Sequence, residues 1–261
     1  MPQNHSFILP DDFSTHLKIQ NAEKRIQEAI EVAEKLTSAG VPLLPNADHA
    51  AIFTDPVYLV AGPLKELGYI AGWDHRCYPS PVDEHDYINV SSGLPSDSLL
   101  RAKGWFDYVA VVHPVDAEAR EHMVSQGYGN PFIHHITWGI TPPKKNTSDN
   151  FEYTGKIITY MRVMRKRIGE VIGEAPGTLI IALPKAVIDN PAFNNRLPTW
   201  TGDLKKNQYQ IETMEGGGFL LQFFVLTGGR IEVALRVETN QTFNPKSVNK
   251  ISKDELSTAQ D

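Results

Sequence analysis

A single cysteine, Cys77, in 261 residues leaves no intramolecular disulfide, so the fold has to be held by a packed core. The same scarcity fits a reducing compartment, and the cytoplasm is the expected location. No run approaches the roughly 18 apolar residues of a membrane span. The opening MPQNHSFILPDDF has neither the basic start nor the apolar stretch of a signal peptide, so no membrane partner and no processing are expected. Positive charge is also short: 25 Lys and Arg against 31 Asp and Glu give a net charge of -6, which argues against nonspecific nucleic-acid binding. The densest basic run, MRVMRKR at 161–167, carries Met161, Val163, Met164 and Ile168 at helical spacing and reads as the solvated face of a helix.

Several catalytic signatures are missing as well. There is no nucleophile elbow and no Gly-x-Gly-x-x-Gly fingerprint, and MEGGGF at 214–219 lacks the strand-to-helix setting of a phosphate loop. Cys77 has His75 and Arg76 beside it but no base from a second segment, so a catalytic thiol is not expected. His85 in DEHDY, 83–87, reads as part of a solvated acidic loop.

What is present is an ordinary globular composition, 41% hydrophobic and 21% charged, in a length that suits one large domain or two small modules. Ser14 to Gly40 reads as one long amphipathic helix with apolar Ile26, Ile30, Val32, Ala33 and Leu36, stopped by Gly40 and Pro42. Two passages then share an order of elements. DHAAIFT is a strand, DPVYLVAGPLKELGYIAG is helical through its middle with Pro63 inside, and YINVSS and GWFDYVAVVHP are strands. FIHHITWGI is again a strand, YTGKIITYMRVMRKRIGEVIG a helix and GTLIIALP a strand. GFLLQFFVL and GRIEVALRV form a hairpin about Thr227-Gly228-Gly229. The division expected is an N-terminal helical extension, 1–44, a first module, 45–128, a second module, 129–240, and a polar tail, 241–261. PSPVDEHD and DNPAFNNRLPTWTGDLKKNQ read as polar, Pro-rich loops suited to the rim of a site.

Side-chain alternation sorts the strand faces. On FIHHITWG it places Phe132, His134, Ile136 and Trp138 together and Ile133, His135 and Thr137 opposite; on the last strand it sets Arg230, Glu232, Ala234 and Arg236 against an apolar face. A helix on the apolar side would aim His135 and Glu232 away from itself. Glu232 in such a run answers to a metal, to solvent, or to Arg230 or Arg236. His49 stands near the start of the first module's opening strand as His135 does in the second, and two histidines with one carboxylate suit Fe(II) with open positions.

The stretches IHHIT and DHAAI, with GGGFLLQFFVLTGGRIEVALR at 216–236, resemble the vicinal-oxygen-chelate superfamily over roughly residues 45 to 238. The last stretch is similar to the closing hairpin of the 4-hydroxyphenylpyruvate dioxygenase-like 2-oxo-acid dioxygenases. The resemblance implies an α+β fold of two βαβββ modules forming a cupped mixed sheet, with an extra N-terminal helix. It implies a metal held by His49, His135 and Glu232, substrate contact from Gln222, and His134 and His113 as acid-base or supporting groups. Fe(II) with O2 and a small-molecule substrate is the first expectation; Zn, Ni or Mn would go with a glyoxalase-like isomerase or lyase, and a metal-free binding cup is the third reading. The family's fourth-ligand place falls on Ala110. His113 would need a bulge to reach it, which favours the three-ligand site. The place of a carboxylate-binding arginine in related enzymes is Phe53 here, leaving Arg76 or Arg230 as substitutes. Pairing of modules within one chain or across a homodimer stays open.

Overall fold

The β-branched and aromatic runs form strands of one sheet, and the computed structural model describes residues 13–71, 77–79, 86–102, 105–214, 218–225 and 230–237. His75, Arg76, residues 80–85, the Thr227-Gly228-Gly229 turn and the tail lie outside them. In chain order the elements are α1 (Phe13–His16), α2 (Ala22–Ser38), β1 (Leu43–Phe53), α3 (Tyr58–Glu66), β2 (Ile70–Ala71), β3 (Cys77–Pro79) and β4 (Asp86–Gly93). Then come α4 (Leu99–Ala102), β5 (Tyr108–Pro114), α5 (Ala117–Ser125), β6 (Phe132–Ile140), α6 (Asn150–Ile172) and β7 (Leu179–Pro184). The chain continues through α7 (Lys185–Ile188), α8 (Phe193–Thr201), β8 (Tyr209–Met214), β9 (Phe219–Val225) and β10 (Ile231–Val237).

The strand order is β2-β4-β5-β1-β6-β10-β9-β7-β8, with β3 added on β4. Its centre carries a local two-fold relation. β1 runs parallel to β5 as β6 does to β10, and β4 is antiparallel to β5 as β9 is to β10. The outer pairs β2/β4 and β7/β9 are likewise antiparallel. Two βαβββ modules thus join edge to edge through the antiparallel β1/β6 pair and make one cupped sheet. The helices α2, α3 and α6 cover the convex face, where Ala50, Ile52, Ile136, Trp138, Ile231 and Val233 pack into the main core. Each fully buried aliphatic or aromatic side chain there contributes about 1.5–3 kcal/mol.

Three local expectations change. The long N-terminal helix is two: Lys18 (φ 50°) and Asn21 (φ 54°) take the left-handed region and break it, while Leu17 and Ile19 bury in the break. In MRVMRKR Arg165 turns inward along with Met161 and donates to the carbonyls of Pro176 and Gly177, while Val163 is exposed. The stretch 189–208 is not a loop throughout, because it contains α8. Phe193 and Trp200 bury against α6, the Trp200 ring lying on Gly155 where no side chain intervenes.

The strand parity of β6 is corrected too. Ala51 pairs with His135 and Ile52 with Ile133, so His134 is the extra residue of a β-bulge. Ile133 therefore joins Ile136 and Trp138 in the convex-side core, while Phe132 packs with Ala51, Phe53, Ala110 and Val112 on the concave side.

Candidate metal centre

His49, His135 and Glu232 stand on three neighbouring strands, β1, β6 and β10, and offer ligand atoms that all lie within 4.8 Å of one another. Register explains the convergence. His49 and Glu232 both pair with Thr137, one from each side, so Thr137 is the floor between them. Its Oγ1 donates to Glu232 Oε2 at 2.7 Å and lies 3.1 Å from His49 Nε2. His135, two residues earlier on β6, points the same way and brings Nε2 to 3.2 Å from Glu232 Oε2. His49, His135 and Glu232 are 5%, 9% and 3% exposed, so water is largely excluded from the cluster.

Each histidine has its own neighbour, delivered by its own bulge. Ala47 pairs with Trp138 and His49 with Thr137, which makes Asp48 the extra residue on β1, as His134 is on β6. The bulge lets Asp48 turn back to its neighbour, with Oδ2 2.8 Å from His49 Nδ1. On β6, His134 Nδ1 lies 2.8 Å from His135 Nδ1. Across the local two-fold, then, the residue before each histidine is bulged and reaches that histidine's Nδ1. A carboxylate at Nδ1 accepts the N–H there and leaves Nε2 as a lone pair toward the cluster.

The proton arrangement on the β6 side follows from Arg230, whose guanidinium only donates. Its Nη1 lies 2.8 Å from His134 Nε2 and 3.2 Å from Gln126 Oε1. Burial, then the charges of His135, Arg230, Arg25 and His122, hold the His134 imidazole well below its ordinary range, so it is neutral. Nε2 accepts from Arg230, Nδ1–H donates to His135 Nδ1, and His135 Nε2–H donates to Glu232. Burial alone would push the Glu232 carboxyl up; the His135 hydrogen bond, the facing His49 and His135 rings and the Thr137 hydroxyl outweigh it and keep it low.

The two-fold relation also locates the missing fourth donor. Glu232 pairs with Thr137, two residues past His135, and Ala110 pairs with Ala51, two residues past His49. Ala110 is therefore the equivalent of Glu232, with no ligand atom to offer. His113 is not brought to the cluster: β5 pairs with β1 and β4 without a register shift, so His113 keeps the parity of Val109 and Val111 on the convex side. Gln222 lies on the concave side of β9, opposite Ala234 and two pairs along from Glu232. Arg230 adjoins the cluster through His134, and Arg76 is outside the described residues. Thr137 and Asp48 carry roles that alternation alone did not assign; the signal for Thr137 was its place two residues past His135 on one face.

The concave side is unequal in its halves. Ala119 and Met123 of α5 pack onto Ala51, Phe53, Ala110 and Val112, filling the first module's part of the cup. The His134 ring stacks on Phe53 at 4.1 Å and 10°, the His49 ring on Tyr108 at 4.2 Å and 23°. Two nitrogens and one carboxylate oxygen, buried and convergent, fit a divalent first-row metal. The paired βαβββ modules thus place the cluster at the centre of the cup, as the fold expected from the sequence does.

Comparison with solved structures finds similar arrangements. One is a mutant of 4-hydroxymandelate synthase from Streptomyces coelicolor, at 14% identity and TM-score 0.37, covering 79% of this chain and 53% of that one. Another is methylmalonyl-CoA epimerase from Mycobacterium tuberculosis, at 11% identity and TM-score 0.38, with 76% and 93% covered. A third is a xylose isomerase-like TIM barrel/4-hydroxyphenylpyruvate dioxygenase fusion protein, at 12% identity and TM-score 0.35, with 77% and 27% covered. The chain spans about half the length of the synthase. No family model and no curated protein matches the chain. No described helix is long and apolar enough to cross a membrane.

Proposed function

We propose that this chain is a mononuclear non-haem Fe(II) oxygenase acting on a small oxygen-chelating substrate such as a 2-oxo acid or a catechol. His49, His135 and Glu232 would hold the iron. The observation that carries the reading is their convergence within 4.8 Å on the buried concave face, with Ala110 at the equivalent of the fourth place. Three protein donors leave positions for substrate and O2, whereas a four-ligand isomerase or lyase site would need a donor where Ala110 stands. When bound, the metal supplies Lewis acidity and a template that brings substrate and O2 together.

The chain's own groups supply the rest. Asp48 fixes the His49 ring and its tautomer; Thr137 orients Glu232. Gln222 donates to a substrate oxygen from the neighbouring strand, and Arg230 stands where it can pair with a substrate carboxylate. His134, neutral and buried, lies against His135 Nδ1 and helps fix that ring. The test is metal analysis of protein purified anaerobically without a chelating tag, then O2 uptake with 2-oxo acids and catechols. About one iron per chain with substrate-dependent O2 uptake supports the oxygenase; zinc, nickel or manganese with no O2 uptake replaces it by the isomerase or lyase.

A second reading, a metal-free binding cup, draws on one observation. The Arg230–His134–His135–Glu232 chain gives each inward donor an acceptor within the protein. Absence of metal under every loading condition would select it.

A further inference from the structure

Helix α2 precedes both modules, and its buried stripe runs Ala22, Arg25, Ala29, Ala33 and Leu36. A guanidinium therefore occupies a place that an amphipathic helix ordinarily gives to an apolar side chain. Arg25 is 4% exposed, and a cation so buried needs compensation. It finds it on the backbone of β6: Nε donates to the carbonyl of Ile133 at 3.0 Å and Nη2 to that of His134 at 2.8 Å. The Tyr128 ring covers the other side, 4.2 Å from Cζ.

Those two carbonyls belong to the bulge. The β1 ladder is interrupted between His135 and Ile133, and the pairing of β6 with β10 begins only at Ile136. Bulged backbone leaves polar groups outside the ladder, and when buried they must be satisfied elsewhere. Arg25 satisfies them with a planar fork that fixes two successive carbonyls at once, which a single ammonium does not do.

We propose that Arg25 is a positioning residue for the metal centre: its grip on the Ile133 and His134 carbonyls holds the bulge that presents His135 to Glu232. The N-terminal helix thereby becomes part of the site. The inference rests on the metal reading given above. Phe132 and Ile133 are locked at 0% and 2% exposure on opposite faces, so a slackened bulge relaxes at His134 and His135. Any one-residue change of parity there turns His135 away from Glu232.

The molecule contains a matched control. Arg165 is 8% exposed and also donates through one guanidinium to two successive carbonyls, Pro176 and Gly177, in the turn from α6 to β7. Co(II) serves as the metal probe, titrated into metal-free full-length protein and followed by visible absorption, with thermal unfolding of each variant alongside. Arg25→Met is expected to weaken Co(II) binding about 10- to 100-fold, and Arg25→Lys to weaken it less. Arg165→Met should lower the melting temperature without changing Co(II) affinity. Wild-type affinity in Arg25→Met, or an equal loss in Arg165→Met, overturns the proposal. Should Arg25→Met not fold, unchanged affinity in Arg25→Lys overturns it.

Failure of the metal reading itself is separable. If wild-type protein binds no Co(II), the ring-nitrogen NMR signals of 15N-histidine-labelled protein decide the clamp. Movement of the His134 and His135 signals in Arg25→Lys but not in Arg165→Met upholds the grip on the bulge; unmoved signals overturn it.

Discussion

At Glu232 burial and bonding pull in opposite directions, and bonding wins. The group is 3% exposed, yet donation from His135 and Thr137 and the two facing imidazoles keep its carboxyl below the ordinary range. A buried anion of this kind is what a divalent ion requires, and the variant that isolates it is Glu232→Gln. The amide keeps an acceptor for Thr137 and the side-chain shape but removes the charge. Metal content should fall from about one per chain to near zero with circular dichroism unchanged; full metal content would remove Glu232 from the site. The two histidines of β6 separate in the same assay. His135→Ala removes an inward nitrogen and should abolish metal binding, whereas His134→Ala removes the partner of His135 Nδ1 and should weaken binding about 10- to 100-fold. Equal losses, or the reverse order, would refute the assignment.

Among the elements, α8 shows how packing overrides composition. Its sequence is polar and holds Pro198, but Phe193 and Trp200 find a surface on α6 where Gly155 has no side chain. A Cβ added at Gly155 would stand 2.3 Å from Trp200 Nε1. Gly155→Ala is therefore expected to destabilise by about 1–3 kcal/mol through overpacking, read as a lower melting temperature with metal content unchanged; an unchanged melting temperature would show that Trp200 moves aside freely. The same contrast explains what the sequence made legible. The repeated order of strands and helix along the chain and the convergence of His49, His135 and Glu232 are legible in the sequence because alternation and that repeat are local patterns. The side of Phe132 and Ile133, the partnership of Asp48 with His49 and the inward turn of Arg25 are not. Each depends on a one-residue bulge, or on a helix whose buried stripe carries a charge, and neither leaves a periodic trace.

Across the whole molecule the near-symmetry of the modules is broken at chemically decisive places. Asp48 in one bulge answers to His134 in the other, Ala110 to Glu232, and only the first module's part of the cup is filled by α5. His134, 1% exposed, is held between Phe53 and Arg230, and burial there puts its imidazole well below the ordinary 6.5. The unfolded chain regains the ordinary value, so below about pH 6.5 it binds a proton that the native protein refuses. Stability contributed by neutral His134 is thus present above that pH and lost progressively as pH falls toward the native value. Glu232, also depressed, adds a loss of the same sign beginning lower, near its ordinary 4.5. The slope for one such proton is at most about 1.4 kcal/mol per pH unit. Urea midpoints of metal-free protein should therefore drop between about pH 7.5 and pH 5.5, and His134→Asn, which has nothing to titrate there, should flatten the drop. An equal drop in the variant would mean that the acid lability belongs to other groups and that the sealed histidine is not the molecule's weak point in acid.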